Sequence, residues 1–224
     1  MRFTLPILAL SLLLAVSVAS ADTLVTFDTN VGSFQVQLFA DTPVTTANFL
    51  NYATTGRYDN TMIHRSVPGF IIQGGGYTYT DEVGYPEQIP ADPAIVNEFN
   101  HSNVRGTIAM AKLGGDPNSA TSEWFFNLAD NSGNLDTQNS GFTVFGQVIG
   151  DGMNVIDAIA AMEVVDAGGS PFDTLPIHDY SGTGYLSAAN LVIVNSITVT
   201  PEPATLALLG IGGLAMLRRA RSRR

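Results

Sequence analysis

Eight short strand-like segments fill most of the middle of the 224-residue chain, and only two other segments have helical spacing. The first two strands, Leu24 to Asp28 and Gly32 to Phe39, alternate apolar and polar residues around a Thr-Asn-Val-Gly turn, which is typical of a β-hairpin. Strands and helices do not alternate as they do in parallel α/β folds, and the chain shows no internal repeat. The pattern therefore predicts a mainly β fold, built as a closed antiparallel β-barrel with two helices.

The two helical segments have recognisable signals. In DTPVTTANFLNYATTGRY, Asp41 or Thr42 can cap the first turn, a proline follows, and Gly56 ends the helix. In GMNVIDAIAAM, apolar residues recur at helical spacing. The other six strands are predicted within TMIHR, GFIIQGGG, GTIAMAK, SEWFFNLAD, TVFGQVIGD and NLVIVNSITV. Residues 77–97 and 167–190 are rich in turn formers, which predicts two long loops.

Residues 1–21 have the three parts of a secretory signal peptide. A basic residue comes first, an apolar run follows from Leu5 to Val18, and Ala19-Ser20-Ala21 matches a small-residue cleavage site. The apolar run is shorter than the roughly 20 residues that a membrane span needs. We therefore expect cleavage before Asp22 and an exported protein, in which residues 22–200 form one domain.

The C-terminal segment, residues 201–224, also has three parts. Pro201-Glu202-Pro203 is followed by an apolar run of twelve residues, Leu206 to Leu217, and then by five arginines. As a helix this run would extend about 18 Å, well short of a hydrocarbon core of about 30 Å. The segment resembles the PEP-CTERM sorting signal of Gram-negative bacteria. That resemblance implies transient membrane association, processing by an exosortase-type enzyme, and a final place in the periplasm, outer envelope or medium. An ordinary anchor with a transmembrane helix is the alternative.

The predicted domain is strongly acidic. Six of the ten Lys and Arg residues lie in the two terminal segments, which leaves four basic residues against 19 acidic ones and a net charge of about −15. Nucleic-acid binding depends on cationic contacts to phosphate, so we expect no nucleic-acid partner. The chain has no cysteine, which excludes disulfides and thiolate chemistry. Its histidines, His64, His101 and His178, lack metal-ligand spacing, and we expect no metal and no cofactor.

Arg65 is one of the few basic residues of the domain, and it lies five residues before the apolar run Phe70-Ile71-Ile72, which Gln73 and a triple glycine follow. Four blocks of sequence surround and include it: PVTTANFLNYATTGRYDNTMIHR, VPGFIIQGGG, NVRGTIAMAKLGGDPNSATSEWFFNLADN and FTVFGQVIGDGMNVIDAI. In these blocks, and in their order from about Val25 to Val199, the chain resembles the cyclophilins, the cyclosporin-type peptidyl-prolyl isomerases. The resemblance implies an eight-stranded barrel capped by two α-helices.

The chemistry of proline isomerisation explains why an arginine belongs beside an apolar pocket. Rotation about a peptide C–N bond costs about 18–20 kcal/mol, because it breaks amide resonance. A catalyst must therefore bind the twisted amide better than either planar form. When the amide twists, the proline nitrogen regains a lone pair and accepts a hydrogen bond, which a permanently protonated, planar guanidinium can donate. An apolar pocket that excludes water strengthens this interaction.

The resemblance implies a role for each matching residue. Arg65 would be the catalytic donor, and Gln73 would bind the substrate backbone. The proline pocket would consist of Phe70, Ile71, Phe125 and Leu135, with Phe142 as its far wall, and the groove before the proline would be lined by Met110, Ala111 and Lys112. His64 precedes Arg65 in a strand, so its side chain should lie on the opposite face, in a structural role. We expect a monomer that acts on proline-containing polypeptides and assists the folding of exported proteins.

Glu123 is the remaining substrate-binding residue that the resemblance implies, but it departs from the cyclophilin pattern, because it replaces a glutamine that braces the substrate backbone. An ionised carboxylate accepts hydrogen bonds but does not donate them. It also offers Arg65 a partner for an ion pair that would hold the guanidinium or weaken its charge. The next residue, Trp124, replaces a phenylalanine and adds bulk on the core side. Glu123 therefore leaves open a proline-peptide-binding module with little turnover, and the C-terminal sorting segment leaves open a structural protein of the cell surface or matrix.

Overall fold

The computed structural model describes residues 23–200. The predicted signal peptide and the C-terminal segment, with its sorting signal or transmembrane helix, lie outside the described residues. Within this range the chain forms thirteen β-strands, three α-helices and two short 3₁₀ helices. None of these helices is long and apolar enough to cross a membrane.

The strands are β1 (Thr23–Thr29), β2 (Ser33–Leu38), β3 (Thr61–Met62), β4 (Arg65–Val67), β5 (Ile71–Gly74), β6 (Tyr77–Thr78), β7 (Glu87–Gln88), β8 (Thr107–Met110), β9 (Trp124–Asn127), β10 (Val144–Ile149), β11 (Glu163–Val165), β12 (Leu175–Ile177) and β13 (Ile193–Thr200). The α-helices are α1 (Pro43–Thr54), α2 (Ser132–Leu135) and α3 (Gly152–Ala160), and the 3₁₀ helices span Gln138–Ser140 and Ala188–Asn190.

The predicted N-terminal hairpin is confirmed as β1 and β2, which pair in antiparallel register with Phe27 opposite Phe34. Alternation along the strands sends Val25 and Phe27 of β1, and Phe34 and Val36 of β2, into the core, where all four are buried. The rings of Phe27 and Phe34 stack with their centroids 5.0 Å apart. The hairpin therefore contributes to the largest apolar cluster of the domain, called the main core below.

The main sheet has eleven strands in the order β4-β5-β9-β8-β10-β2-β1-β13-β3-β6-β7, and β11 and β12 form a separate hairpin. The sheet is a strongly curled half-barrel, so the predicted closed eight-stranded barrel is wrong. The segment TMIHR explains the difference. It ends as β3 at Met62, beside β13, and resumes as β4 at Arg65, which pairs with β5 at the opposite end of the strand order.

The start of α1 is stabilised by a carboxylate from a distant loop. The helix begins at Pro43, as predicted, but the side chain of Thr42 at the cap position makes no capping bond. The carboxylate of Glu98 instead accepts the backbone N–H groups of Val44 and Thr45, at 3.1 and 2.8 Å. Glu98 therefore satisfies two N–H groups that lack helical partners and places a negative charge at the helix N-terminus.

The predicted second helix is confirmed as α3, which buries Ile156 and Ile159 in the main core. The short helix α2 is absent from the predicted elements, because its four residues, SGNL, are too few to show a hydrophobic period. It matters for the site, since its last residue, Leu135, is buried in a smaller apolar cluster with Ile71 and Phe125.

The two predicted long loops contain short strands of their own. β6 and β7 form a hairpin within residues 77–97, and β12 lies within residues 167–190, where it pairs with β11. These four strands have two or three residues each, too few for alternation to be visible in the sequence. The loops meet over a third apolar cluster, which includes Met62, Leu175 and Leu191.

Candidate active site

Strands β4 and β5 place Arg65 directly opposite Gln73. Nη1 of Arg65 donates a long hydrogen bond to Oε1 of Gln73, at 3.4 Å, and both residues are half-buried. None of the ion pairs within residues 23–200 involves Arg65. Most of the five N–H donors of this guanidinium are therefore available to a ligand.

Arg65 and Gln73 form the polar side of a pocket of about 220 Å³. Nine of the eleven predicted site residues line it, and the structure adds Gln138: the nine are Arg65, Phe70, Ile71, Gln73, Ala111, Lys112, Phe125, Leu135 and Phe142. Within residues 23–200, no group of three or more His, Cys, Asp or Glu side chains is placed to hold a metal ion.

The apolar wall of the pocket is separate from the main core. Phe125 and Leu135 are buried in it, while Phe70 and Phe142 pack against them and stay partly open. The rings of Phe125 and Phe142 meet edge to face, with centroids 5.8 Å apart. One apolar slot is thus bordered by aromatic rings on one side and by the guanidinium on the other.

Three buried asparagines support this wall from behind. Nδ2 of Asn131 donates to the carbonyl of Phe70 at 2.9 Å and to Oδ1 of Asn127 at 2.7 Å. Nδ2 of Asn127 donates in turn to Oδ1 of Asn103, at 3.2 Å, and Asn103 donates to the carbonyl of Phe142 at 3.0 Å. Sequence reasoning missed all three, because asparagine in a turn-rich sequence indicates a loop rather than a buried network.

Met110 does not line the pocket, which corrects the prediction for its side chain. Along β8 the side chains alternate between the two faces of the sheet. Ala109 belongs to the apolar cluster of the pocket, whereas Met110 is 1% exposed and lies in the main core. Ala111, one residue further on, lines the pocket as predicted.

Lys112 lines the pocket, but its ammonium group already has protein partners. Nζ donates to the carbonyls of Asn139 and Gly141, at 2.8 and 2.7 Å, and lies 4.7 Å from the ring centroid of Phe142. Burial lowers the pKa of this lysine. Lys112 therefore braces the loop next to Phe142, a role that its position in the sequence did not reveal.

Glu123 lies behind Gln73 and outside the pocket lining. Its Oε2 accepts a hydrogen bond from Nε2 of Gln73 at 2.7 Å. The same oxygen is 3.4 Å from Nε2 of His64, a residue with 0% exposure. Within residues 23–200, Glu123 and Arg65 do not form the ion pair that the sequence allowed, because the Gln73 side chain lies between them. Side-chain contacts connect four residues in the order Arg65, Gln73, Glu123 and His64, and we call these residues the polar chain.

The environment of Glu123 keeps its carboxyl group ionised at neutral pH. Burial alone would raise its pKa, but the nearby His64 ring and the hydrogen bond from the Gln73 amide lower the pKa below its ordinary value. Burial, together with this carboxylate, raises the pKa of the Tyr77 hydroxyl. The His64 ring packs edge-on against Tyr77, with centroids 5.0 Å apart, but makes no well-aligned hydrogen bond. Its buried position on the face opposite Arg65 is as predicted.

The triple glycine makes room for Trp124 and Glu123. A Cβ on Gly74 or Gly75 would lie 2.8 or 2.5 Å from atoms of the Trp124 ring, and a Cβ on Gly76 would lie 2.8 Å from Glu123. Gly75 also has a φ of +80°, in the region that favours glycine. The glycines are therefore a packing requirement of Trp124, the first residue of β9, and of Glu123, which directly precedes that strand.

Two known sequence families match this chain. Residues 24–181 match the family described as cyclophilin type peptidyl-prolyl cis-trans isomerase/CLD, and residues 199–224 match the PEP-CTERM protein-sorting motif. A peptidyl-prolyl cis-trans isomerase of Acinetobacter baylyi is 41% identical over 146 residues, which cover 63% of this chain and 74% of the relative. Peptidyl-prolyl cis-trans isomerase B of Escherichia coli is 42% identical over 143 residues, which cover 61% of this chain and 83% of that relative.

The fold has a counterpart among solved structures. A cyclophilin type peptidyl-prolyl cis-trans isomerase of Cryptosporidium parvum superposes with a TM-score of 0.57, at 23% sequence identity. The match covers 81% of this chain and 99% of that one. At this level of identity the likeness shows the fold alone, and it agrees with the curled half-barrel described above.

Proposed function

Since the chain belongs to the family of cyclophilin-type peptidyl-prolyl cis-trans isomerases and is such an isomerase, we propose that Arg65 is its catalytic donor. One observation carries this mechanism: the guanidinium and an aromatic slot share a single pocket of about 220 Å³. The slot formed by Phe70, Phe125 and Phe142 holds the pyrrolidine ring of the substrate. The guanidinium then donates to the proline nitrogen only while the amide is out of plane, so that it stabilises the transition state.

The pocket leaves Arg65 free for this role. Its contact with Gln73 is long, at 3.4 Å, and no carboxylate of residues 23–200 neutralises it. A cation that keeps its charge beside an apolar wall makes a stronger hydrogen bond than one in water. Stabilising the twisted amide by about 1.4 kcal/mol raises the isomerisation rate tenfold.

Glu123 acts in this mechanism as a positioning residue. Because an ionised carboxylate only accepts hydrogen bonds, the Gln73 amide must turn its Nε2 toward Glu123, which leaves Oε1 facing Arg65. The reversed amide would place two donors, Nε2 and the guanidinium, against each other. Glu123 therefore favours the orientation of Gln73 that supports Arg65.

Exchange NMR on a proline peptide tests the isomerase mechanism against the binding-module alternative. With a trace of the protein, we expect the separate cis and trans signals of the peptide to broaden, because catalysed exchange is faster than the spontaneous reaction of tens to hundreds of seconds. Saturable shifts without exchange broadening would contradict the mechanism and support a module that binds without turnover.

The PEP-CTERM match implies an exported protein that is sorted to the surface of a Gram-negative cell. We propose that residues 1–21 direct export, that an exosortase-type enzyme removes the tail near Pro201-Glu202-Pro203, and that the clients are exported polypeptides. Deleting residues 201–224 tests the sorting step. We expect the shortened protein to accumulate in a different fraction of the cell, and an unchanged distribution would contradict the proposal.

A further inference from the structure

A second cavity lies between the two long loops, and we propose that it binds a basic segment of the substrate polypeptide. Its volume is about 950 Å³, against about 220 Å³ for the proline pocket. Ligand cavities commonly measure about 300–1,000 Å³, so several side chains of a peptide fit. That the ligand is a polypeptide rests on the proposed isomerase function, whereas its basic character follows from the cavity itself.

Contacts between the two loops hold the cavity walls together. The hydroxyl of Tyr79 donates to the carbonyl of Leu186 at 3.0 Å, and Oδ1 of Asp81 accepts the N–H of Ala188 at 2.7 Å. Beneath them lies the third apolar cluster, to which Met62 also contributes a buried side chain. The cavity is therefore a built feature of the fold rather than a gap between two unconnected loops.

Tyr85 and Tyr185 offer free aromatic faces at this cavity. They are 61% and 100% exposed, and they are the aromatic members of the group of large exposed hydrophobic residues in residues 23–200. Neither hydroxyl bonds to another part of the described chain. Exposed aromatic rings grouped at a cavity mark a binding surface, and the faces of such rings attract cations.

The cavity is acidic and has no basic residue of its own. Asp81 and Asp166 line it, and neither carboxylate forms an ion pair within residues 23–200. Backbone N–H groups of Gly169 and Gly168 lower the pKa of Asp166, so this group is ionised at neutral pH. Residues 66–104 and 113–200, which include both loops, contain neither Lys nor Arg.

The ligand that complements these features carries Lys or Arg side chains. Carboxylates supply the opposite charge, and the tyrosine faces supply cation–π contacts. The cavity also adjoins the active-site strand β4. The N–H of Ser66 donates to the carbonyl of Thr174 at 2.7 Å, and Phe172, which lines the cavity, lies with its ring centroid 6.2 Å from that of His64. The cavity thus borders the strand that carries Arg65, and a polypeptide long enough to occupy both sites would gain in effective concentration.

Binding of a labelled Lys-rich peptide without proline tests the cavity apart from catalysis. By fluorescence anisotropy we expect saturable binding that weakens with salt and that a Glu-rich peptide of equal length does not show. The double variant Tyr85→Ser/Tyr185→Ser and the near-isosteric Asp166→Asn should each weaken it at least threefold. Val44→Ser, at an exposed apolar position outside the cavity, is the matched control. Equal affinity in all proteins, or a preference for a neutral oligosaccharide, would overturn the proposal.

Kinetic measurements on two substrates distinguish the role of this cavity from that of the proline pocket. The double tyrosine variant should isomerise a short neutral proline peptide as fast as wild type, because neither residue lines that pocket. A proline peptide extended by a Lys-rich tail should show a higher kcat/KM in wild type, by at least threefold, and lose this gain in the variant. No gain at any tail length would overturn the proposal. If wild type does not isomerise the short peptide, the mechanism fails, while the anisotropy result still decides the cavity.

Discussion

The carboxylate of Glu123 lies 2.7 Å from the amide nitrogen of Gln73 and thereby turns the amide oxygen toward Arg65. Glu123 is the residue that departs most clearly from the cyclophilin pattern, yet it does not touch the guanidinium. Glu123 acts on Arg65 through the side chain of Gln73. On its buried side, the Glu123 carboxylate lies 3.4 Å from Nε2 of His64. The polar chain thus connects a buried histidine to the proposed catalytic donor, and we expect it to make the site sensitive to acid.

Replacing Glu123 with glutamine should lower activity modestly at neutral pH and change its pH dependence. Kcat/KM should fall by up to about fivefold, because a neutral amide, like a protonated acid, can donate to Gln73 as well as accept from it. The pKa of Glu123 is lowered, so the wild-type carboxylate persists as pH falls past its ordinary value of 4.5 and is lost only below it. Wild-type isomerisation should decline there, because a protonated acid can donate to Gln73 and turn its amide. Glu123→Gln should lack this decline, and identical acid profiles for the two proteins would rule the mechanism out.

Replacing His64 with glutamine should move the same acid decline to higher pH. The ring of His64 lowers the pKa of Glu123, so its removal lets burial raise that pKa. A carboxylate with 25% exposure also loses a partner, which should lower the free energy of unfolding by about 1–3 kcal/mol at neutral pH. Urea unfolding and the pH profile measure the two effects.

His101→Gln is the matched control for the histidine substitution. His101 also faces a carboxylate, Asp41, at 2.9 Å, but both side chains are largely open to water. Its loss should lower stability by less than about 1 kcal/mol and leave the acid profile of catalysis unchanged. An acid profile that moves equally in both variants would show that Glu123 is not the titrating group.

Gly75→Ala should destabilise the domain by at least about 2 kcal/mol. The new methyl group would meet the Trp124 ring at 2.5 Å, at a backbone φ of +80°. Gly114→Ala is the control, since a Cβ there has no atom within 4 Å. Trp124→Phe combined with Gly75→Ala should recover part of the loss, measured as coupling in a double-mutant cycle of urea unfolding. Strictly additive effects would mean that Trp124 does not require the glycine.

Glu98→Gln should lower the free energy of unfolding by about 0.5–2 kcal/mol. A neutral amide offers one acceptor oxygen where the carboxylate now serves two backbone N–H groups at the start of α1. Thermal or urea unfolding measures the loss, and Glu163→Gln, at an exposed position of β11, provides the comparison. Equal stability of the two variants would contradict a capping role for Glu98.

The local elements of this fold could be predicted from the sequence, because the residue pattern that indicates each element spans only a few neighbouring positions. The first hairpin follows from alternation, and the burial of His64 opposite Arg65 follows from the two-residue period of a strand. That the sheet stays open could not be predicted. It depends on the interruption between β3 and β4 at Ile63 and His64, in a segment whose sequence resembles one continuous strand.

The misses at the site involve contacts that are long-range in sequence. Glu123 and His64 are 59 positions apart in the chain, and nothing near either residue indicates that they meet. Met110 was placed in the groove from a resemblance in the motif, whereas strand alternation turns its side chain into the main core. Motif position therefore predicted which backbone lies at the site, and the register of the sheet decides which side chains reach it.

Substitution of Arg65 tests the catalytic mechanism most directly. Kcat/KM for a short proline peptide should be measured by exchange NMR in wild type, Arg65→Ala and Arg65→Lys, beside the free energy of unfolding. Arg65→Ala should lose at least tenfold, or about 1.4 kcal/mol, and Arg65→Lys should recover little, because a lysine lacks the planar fork. Stability should change by less than about 0.5 kcal/mol, since Arg65 is half-buried, makes only a long hydrogen bond to Gln73 and forms no ion pair within residues 23–200. An Arg65→Ala protein that is folded and as fast as wild type would contradict the mechanism.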